Sequence, residues 1–120
     1  MPGVIAVAGV SADESKYGFL IFRDLLAAGR EVYGVNPKGG RILDREIFPS
    51  VSALPVKPDV VIIVVQPDIT AKIVDDCIAA GVREIWMQPG SENDTAIEKA
   101  KKSGIEVIAR ACFMVRGGFW

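Results

Sequence analysis

The sequence predicts an α/β fold: a single-domain, Rossmann-like, doubly wound parallel sheet of about five strands in the order 3-2-1-4-5. Three observations support this. Short apolar runs alternate along the chain with segments whose apolar residues recur at helical spacing. Several of the runs are continuous and rich in β-branched residues, as strands covered on both faces require. A glycine follows each main helical segment, at Gly29, Gly81 and Gly104.

The first strand is Val4–Val10, and a helix over 17–28 follows, with Phe19, Phe22, Leu25 and Leu26 at helical spacing. Residues 31–35 form a second short strand. Residues 36–58 contain Pro37, Pro49, Pro55, Pro58 and the pair Gly39–Gly40, so they read as loop with at most a helical turn over 50–54. "DVVIIVV", residues 59–65, is the third strand. Pro67 suits the first position of a helix whose apolar face is Ile69, Ile73, Cys77 and Ile78. Residues 84–88 form the fourth strand. Ser91 is the expected cap of a helix through Lys102, with Glu92 and Asp94 near its positive end and Lys101 and Lys102 near its negative end. Residues 105–109 form the fifth strand. This order places the ends of strands one and four beside the switch point, where open sheets of this kind hold ligands.

The 120 residues suit one domain, 1–120, large enough to bury a core without staples. A net charge of -1 gives no footprint for nucleic acid or an anionic membrane. No apolar run approaches the ~20 residues of a membrane span, and no signal segment opens the chain, so a cytoplasmic location is expected. Cys77 and Cys112 form neither a disulfide framework nor a metal-ligand pattern, so no metal site is expected. The sequence has no histidine, which removes Ser-His and Cys-His nucleophile pairs, histidine ligands and phosphohistidine.

Four loops leave the strand ends. In "GVSADESKYG", Gly9 permits close backbone approach, Val10 and Ser11 follow it, and Lys16 and Tyr17 open the helix, whose first N–H groups favour an anion. The alternative is an ordinary strand-to-helix turn. Gly9 and Gly18 do not make a G-x-G-x-x-G fingerprint. At the end of strand two, where an NAD site usually carries an acid, stand Asn36, Pro37 and Lys38, with Arg41 close behind. An amide and two cations suit a ribose bearing a phosphate, as in NADP or coenzyme A; a plain Asn-Pro turn with a solvated lysine is equally consistent. Val65, Gln66 and Pro67 end strand three, where they offer a wall for an adenine or simply start a helix. Gln88, Pro89 and Gly90 end strand four, with an amide for a ligand arm and room beside it, or form a common turn.

Together, "VIAVAGVSADESKYG", "VYGVNPKGGRILDREIFPSV", "DVVIIVVQPDITAKIVDDCIAAGVREIWMQPG" and "GIEVIARAC" resemble the coenzyme A-binding domain family over nearly the whole chain. That family includes small stand-alone proteins and the N-terminal domain of the succinyl-CoA synthetase alpha subunit. Asp44 replaces the glycine of the family's connector, and Phe48–Pro49–Ser50 keep its end. The resemblance implies coenzyme A across the strand ends. Gly9, Val10, Ser11 and Lys16 would lie along the phosphates, and Asn36, Pro37 and Lys38 at the 3'-phosphate end. Val65, Gln66 and Pro67 would flank the adenine, and Gln88, Pro89 and Gly90 the pantetheine arm. Cys112 matches a cysteine that often follows the last strand. The synthetase chemistry uses a histidine on a separate domain, and the chain has neither, so ligase activity by that route is not expected. The ending "FMVRGGFW" departs from the family's short acidic tail.

Cys77 reads as a buried apolar residue. Cys112 reads either as structural or as a partner for the coenzyme's thiol in a mixed disulfide. Phe119 and Trp120 would make an apolar patch if exposed, so they fold back or meet another subunit, which makes a homodimer one expectation. The leading functional reading is a non-catalytic protein binding coenzyme A or acyl-CoA. The alternatives are an NAD(P)-dependent oxidoreductase fragment, with Lys16 or Tyr17 as proton donor, and a nucleotide-binding regulatory or interaction domain.

Overall fold

The computed structural model describes residues 3–120. The strands are β1 (Val4–Ala8), β2 (Glu31–Val35), β3 (Arg41–Ile42), β4 (Arg45–Phe48), β5 (Val60–Ile63), β6 (Glu84–Met87) and β7 (Glu106–Ala109). They form one sheet in the order β3-β4-β2-β1-β5-β6-β7. All pairings are parallel except the β3–β4 hairpin. The helices are α1 (Tyr17–Ala27), α2 (Pro67–Ala80), α3 (Asp94–Lys102) and α4 (Phe113–Arg116), with a 3-10 turn over Val51–Ala53. No helix among the described residues is long and apolar enough to cross a membrane.

The α/β class and the mostly parallel sheet agree with the sequence reading, but the strand count and order do not. Seven strands replace about five, because the segment read as loop over 36–58 contains β3 and β4. Leu43 and Asp44, at φ 52° and 61°, turn this hairpin in two residues. The strand expected third, around 59–65, pairs with β1 rather than with β2, and β4 takes the place beyond β2. Right-handed crossovers explain the arrangement. Strands added on one side of β1 carry their helix to one face, and strands added on the other side carry theirs to the opposite face.

Successive residues of the central strands face opposite layers accordingly. Ala6, Ala8, Val61, Ile63, Ile85 and Met87 face α2 and α3, together with Val74, Cys77, Ala96 and Ala100. Ile5, Val7, Val60 and Ile62 face Ile21, Phe22 and Leu25 of α1 and Phe113 and Met114 of α4. Both layers are lined by apolar side chains, so the central strands carry apolar residues on either side.

Two helix details also differ from expectation. The sheet-facing stripe of α2 is Thr70, Val74 and Cys77, which leaves Ile69, Ile73 and Ile78 half-buried at its margins. Asn93, not Ser91, caps α3, its side chain accepting from the Ala96 N–H at 3.0 Å. Ser91 is instead buried, and its hydroxyl accepts from the Val65 N–H at 3.0 Å.

Candidate functional site

The strands end at one rim, and glycines let the first two segments meet there. Gly9 has φ 109°, and a Cβ on it would lie 2.3 Å from the Val64 carbonyl oxygen. A Cβ on Gly18 would lie 2.2 Å from the Gly9 carbonyl oxygen. The start of α1 is thus pressed against the end of β1, and the end of β1 against the loop after β5. Lys16 is the N-cap of α1, and no side chain caps that end, which leaves the first turn able to receive an anion. Ser11 Oγ accepts from the Asp13 N–H at 3.0 Å, a bond that uses a lone pair and leaves the hydroxyl hydrogen available to donate. The Asp13 carboxylate accepts from the Ser15 hydroxyl and N–H, and these bonds hold its pKa below the usual aspartate value.

Asn36 stands at the end of β2 as expected, but its amide has structural work. Its Nδ2 donates to the Val10 carbonyl at 2.9 Å, and its Oδ1 accepts from the Lys38 N–H at 2.8 Å. The first two loops are therefore fixed to each other. The third and fourth are joined as well: the Thr70 hydroxyl donates to the Ser91 carbonyl at 2.7 Å, and Asn93 Nδ2 donates to the Pro67 carbonyl at 2.9 Å.

Between these loops three cavities lie in line. The central one, about 580 Å³, is bordered by Gly9, Val10, Ser11, Lys16, Val65 and Gln66, and also touches Tyr17, Val64, Pro89 and Gly90. The second, about 400 Å³, shares Gly9, Asn36, Val65 and Ile69 with it and extends past Pro37 to Ile73, Lys72 and Asp76. The third, about 290 Å³, shares Tyr17, Val64 and Pro89 with the central one and reaches Cys112, Val115 and Trp120. The two end cavities share no residue.

Twelve of the fourteen residues singled out from sequence border this groove. Lys38 and Pro67 do not. Gln88 borders only the third cavity, because β6 is two strands from β1 and not beside it. Its amide is engaged: Oε1 accepts from the Phe113 N–H at 2.8 Å, and Nε2 donates to Cys112 Sγ at 3.3 Å. Sequence reasoning missed Lys72, a cation on α2 bordering the second cavity. Its helical register one turn after Asp68 was the available signal.

The terminal segment folds back onto its own chain. Phe113 meets Trp86 edge-on at 5.2 Å and stacks with Phe119 at 6.1 Å. Trp120 Nε1 donates to Asp24 Oδ2 at 2.7 Å, and its ring lies 6.1 Å from that of Tyr17. Cys77 is fully buried, and burial pushes its thiol up to about 12. Cys112 is half-buried on the wall of the third cavity. Among the described residues no group of histidine, cysteine and carboxylate side chains is spaced to hold a metal ion.

Known proteins share this architecture. A hypothetical protein from Pyrococcus horikoshii matches at TM-score 0.93 and 32% identity, over 98% of this chain and 82% of that one. A dinucleotide-forming acetyl-coenzyme A synthetase from Ca. Korarchaeum cryptofilum, solved with phosphate and ADP, matches at TM-score 0.79 and 34% identity, over 88% of this chain and 25% of that one. Among curated proteins, an ADP-forming acetate–CoA ligase I from Archaeoglobus fulgidus is 32% identical over 92% of this chain and 18% of its own length. The alpha subunit of ADP-forming acetate–CoA ligase I from Pyrococcus furiosus is 28% identical over 95% of this chain and 28% of its own. The chain thus spans less than a third of these curated relatives. The model of one family, the CoA binding domain, matches residues 3–118, and the chain belongs to that family.

Proposed function

We infer that the chain is a single, non-catalytic coenzyme A-binding unit that takes coenzyme A or an acyl-CoA along its strand-end groove. The observation carrying this reading is the line of three connected cavities, each near or within the ~300–1,000 Å³ of small-molecule sites. An elongated ligand with chemically different ends needs such a line; a compact nucleotide fills one chamber. The central cavity offers the Ser11 hydroxyl, the Lys16 ammonium and the start of α1 to a pyrophosphate. The cavity beyond Asn36 offers Ile69 and Ile73 to a base and Lys72 to a 3'-phosphate, with Lys38 on the neighbouring loop as a second cation. Pro89 and Gly90 border the way from the central cavity toward the third, and that passage suits a pantetheine arm. Asn36 favours this reading over NAD, whose ribose hydroxyls call for a free carboxylate where a committed amide stands.

Thermal shift and calorimetry with coenzyme A, dephospho-coenzyme A, NAD and NADP test the reading. Coenzyme A is expected to raise the melting temperature most, and dephospho-coenzyme A less. Lys72→Ala should bring the two ligands together. The absence of any shift with coenzyme A would overturn the proposal.

A further inference from the structure

The third cavity differs from the other two in what surrounds it. Its wall is Val64, Pro89, Cys112 and Val115, and its rim is Tyr17 and Trp120. Among the described residues no charged side chain borders it, and the one amide there, Gln88, has both ends bonded to the chain. Its volume is about 290 Å³, roughly twice that of an engineered apolar cavity able to admit benzene. Of the five exposed large apolar side chains among the described residues, three (Tyr17, Val115 and Trp120) gather at this cavity. Such clustering of wet apolar surface marks a place where something apolar lands.

We propose that this chamber, walled by the terminal segment, receives the acyl end of an acyl-CoA and selects short, uncharged chains. The assignment rests on the coenzyme A reading above and deepens it. Continuity supplies the occupant: the chamber meets the central cavity through Tyr17, Val64 and Pro89, so a ligand arm leaving the phosphate loop passes into it. A free thiol would leave most of the apolar wall uncovered. A chain of two to six carbons covers it. A terminal carboxylate, as in a succinyl or malonyl thioester, would lose its hydration with no cation to receive it.

Calorimetry on the intact chain with coenzyme A and its acetyl, butyryl, hexanoyl, palmitoyl and succinyl thioesters tests this. Each buried methylene is worth about fourfold in affinity. Butyryl-CoA, longer by two methylenes, is therefore expected to bind roughly fifteenfold more tightly than acetyl-CoA. The gain should stop once the chain outgrows the chamber, and succinyl-CoA should bind more weakly than butyryl-CoA. Val115→Trp, at an exposed position, fills the chamber and should bring the butyryl-to-acetyl ratio toward one. Trp120→Ala opens the rim and should flatten the dependence on chain length.

Coenzyme A binding with no gain from any acyl chain overturns this proposal alone. Failure of every thioester and of coenzyme A itself overturns the underlying reading too. Sedimentation supplies the remaining arm: a dimer abolished by Val115→Trp would make the chamber a contact between copies and overturn the acyl assignment.

Discussion

The two faces of the sheet are covered by unequal means. On one face α2 and α3, fourteen and nine residues long, follow each other and seal β1, β5 and β6 with Val74, Cys77, Ala96 and Ala100. On the other, α1 covers β1 and β2, and the cover then passes to a four-residue helix and a terminal pair of aromatics. Regular helix insulates the first face. The second is finished by side chains: Phe113 on Trp86, Phe119 on Phe113, and Gln88, whose Oε1 accepts from the Phe113 N–H. Where helical cover ends, a chamber opens, and it opens next to the loop that follows β1.

The sharpest way to break this contrast is to cut into each part of the second face. Phe22→Ala empties the fully buried centre of α1 and should cost about 3–5 kcal/mol in denaturant unfolding. Phe119→Ala, at the half-buried margin, should cost clearly less. Equal losses would mean that the tail is as integral to the core as α1. Gln88→Leu removes the acceptor of the buried Phe113 N–H and should cost about 1–3 kcal/mol. Hydrogen exchange should then quicken over 113–120 while α2 keeps its protection; uniform quickening would break the contrast.

The sealed face has its own signature in pH. Unfolded, the Cys77 thiol ionises near 9, whereas in the folded chain burial holds it up to about 12. Between those values the unfolded state releases a proton that the folded state keeps. Stability should therefore fall as pH rises above 9, by about 1.4 kcal/mol per unit. Cys77→Ala should show a shallower slope over the same window.

The smallest effect belongs to the tail. Hydrogen bonding from Arg23, against the opposing effect of burial and with help from Trp120, keeps the Asp24 carboxyl below its usual 3.8. A depressed carboxyl contributes above its unfolded value and loses that contribution as pH falls through the folded one. Trp120 emission should therefore change only below about pH 4, without global unfolding. Asp24→Asn should remove the transition.

The central strands were legible because "VIAVA" and "DVVIIVV" are nearly unbroken apolar runs, and Gly29 and Gly81 close their helices without ambiguity. The hairpin over 41–48 was not. Two residues of β3 and four of β4, half of them charged, fall below any periodicity, and Leu43–Asp44 lacks the glycine that usually marks so tight a turn. Missing β4 displaced the third expected strand, which in turn moved Gln88 next to the first loop. The rim residues themselves were found because glycine, proline and polar side chains cluster after each strand. Lys72 was not legible because a lysine within a helix carries no local sign of which cavity it borders. The chamber beside Trp120 depends on contacts between residues as distant in sequence as Tyr17 and Trp120, which no local pattern encodes.

The outermost strand, β3, has only two residues, and its hairpin carries Arg41, Arg45 and Glu46, all exposed. Such a blunt, charged border resists the addition of a further chain. Fibre growth requires both borders of a sheet to accept neighbours, and here one is closed by construction. Edge-to-edge pairing of sheets is left to β7 alone, and pairing through a single border stops at two molecules.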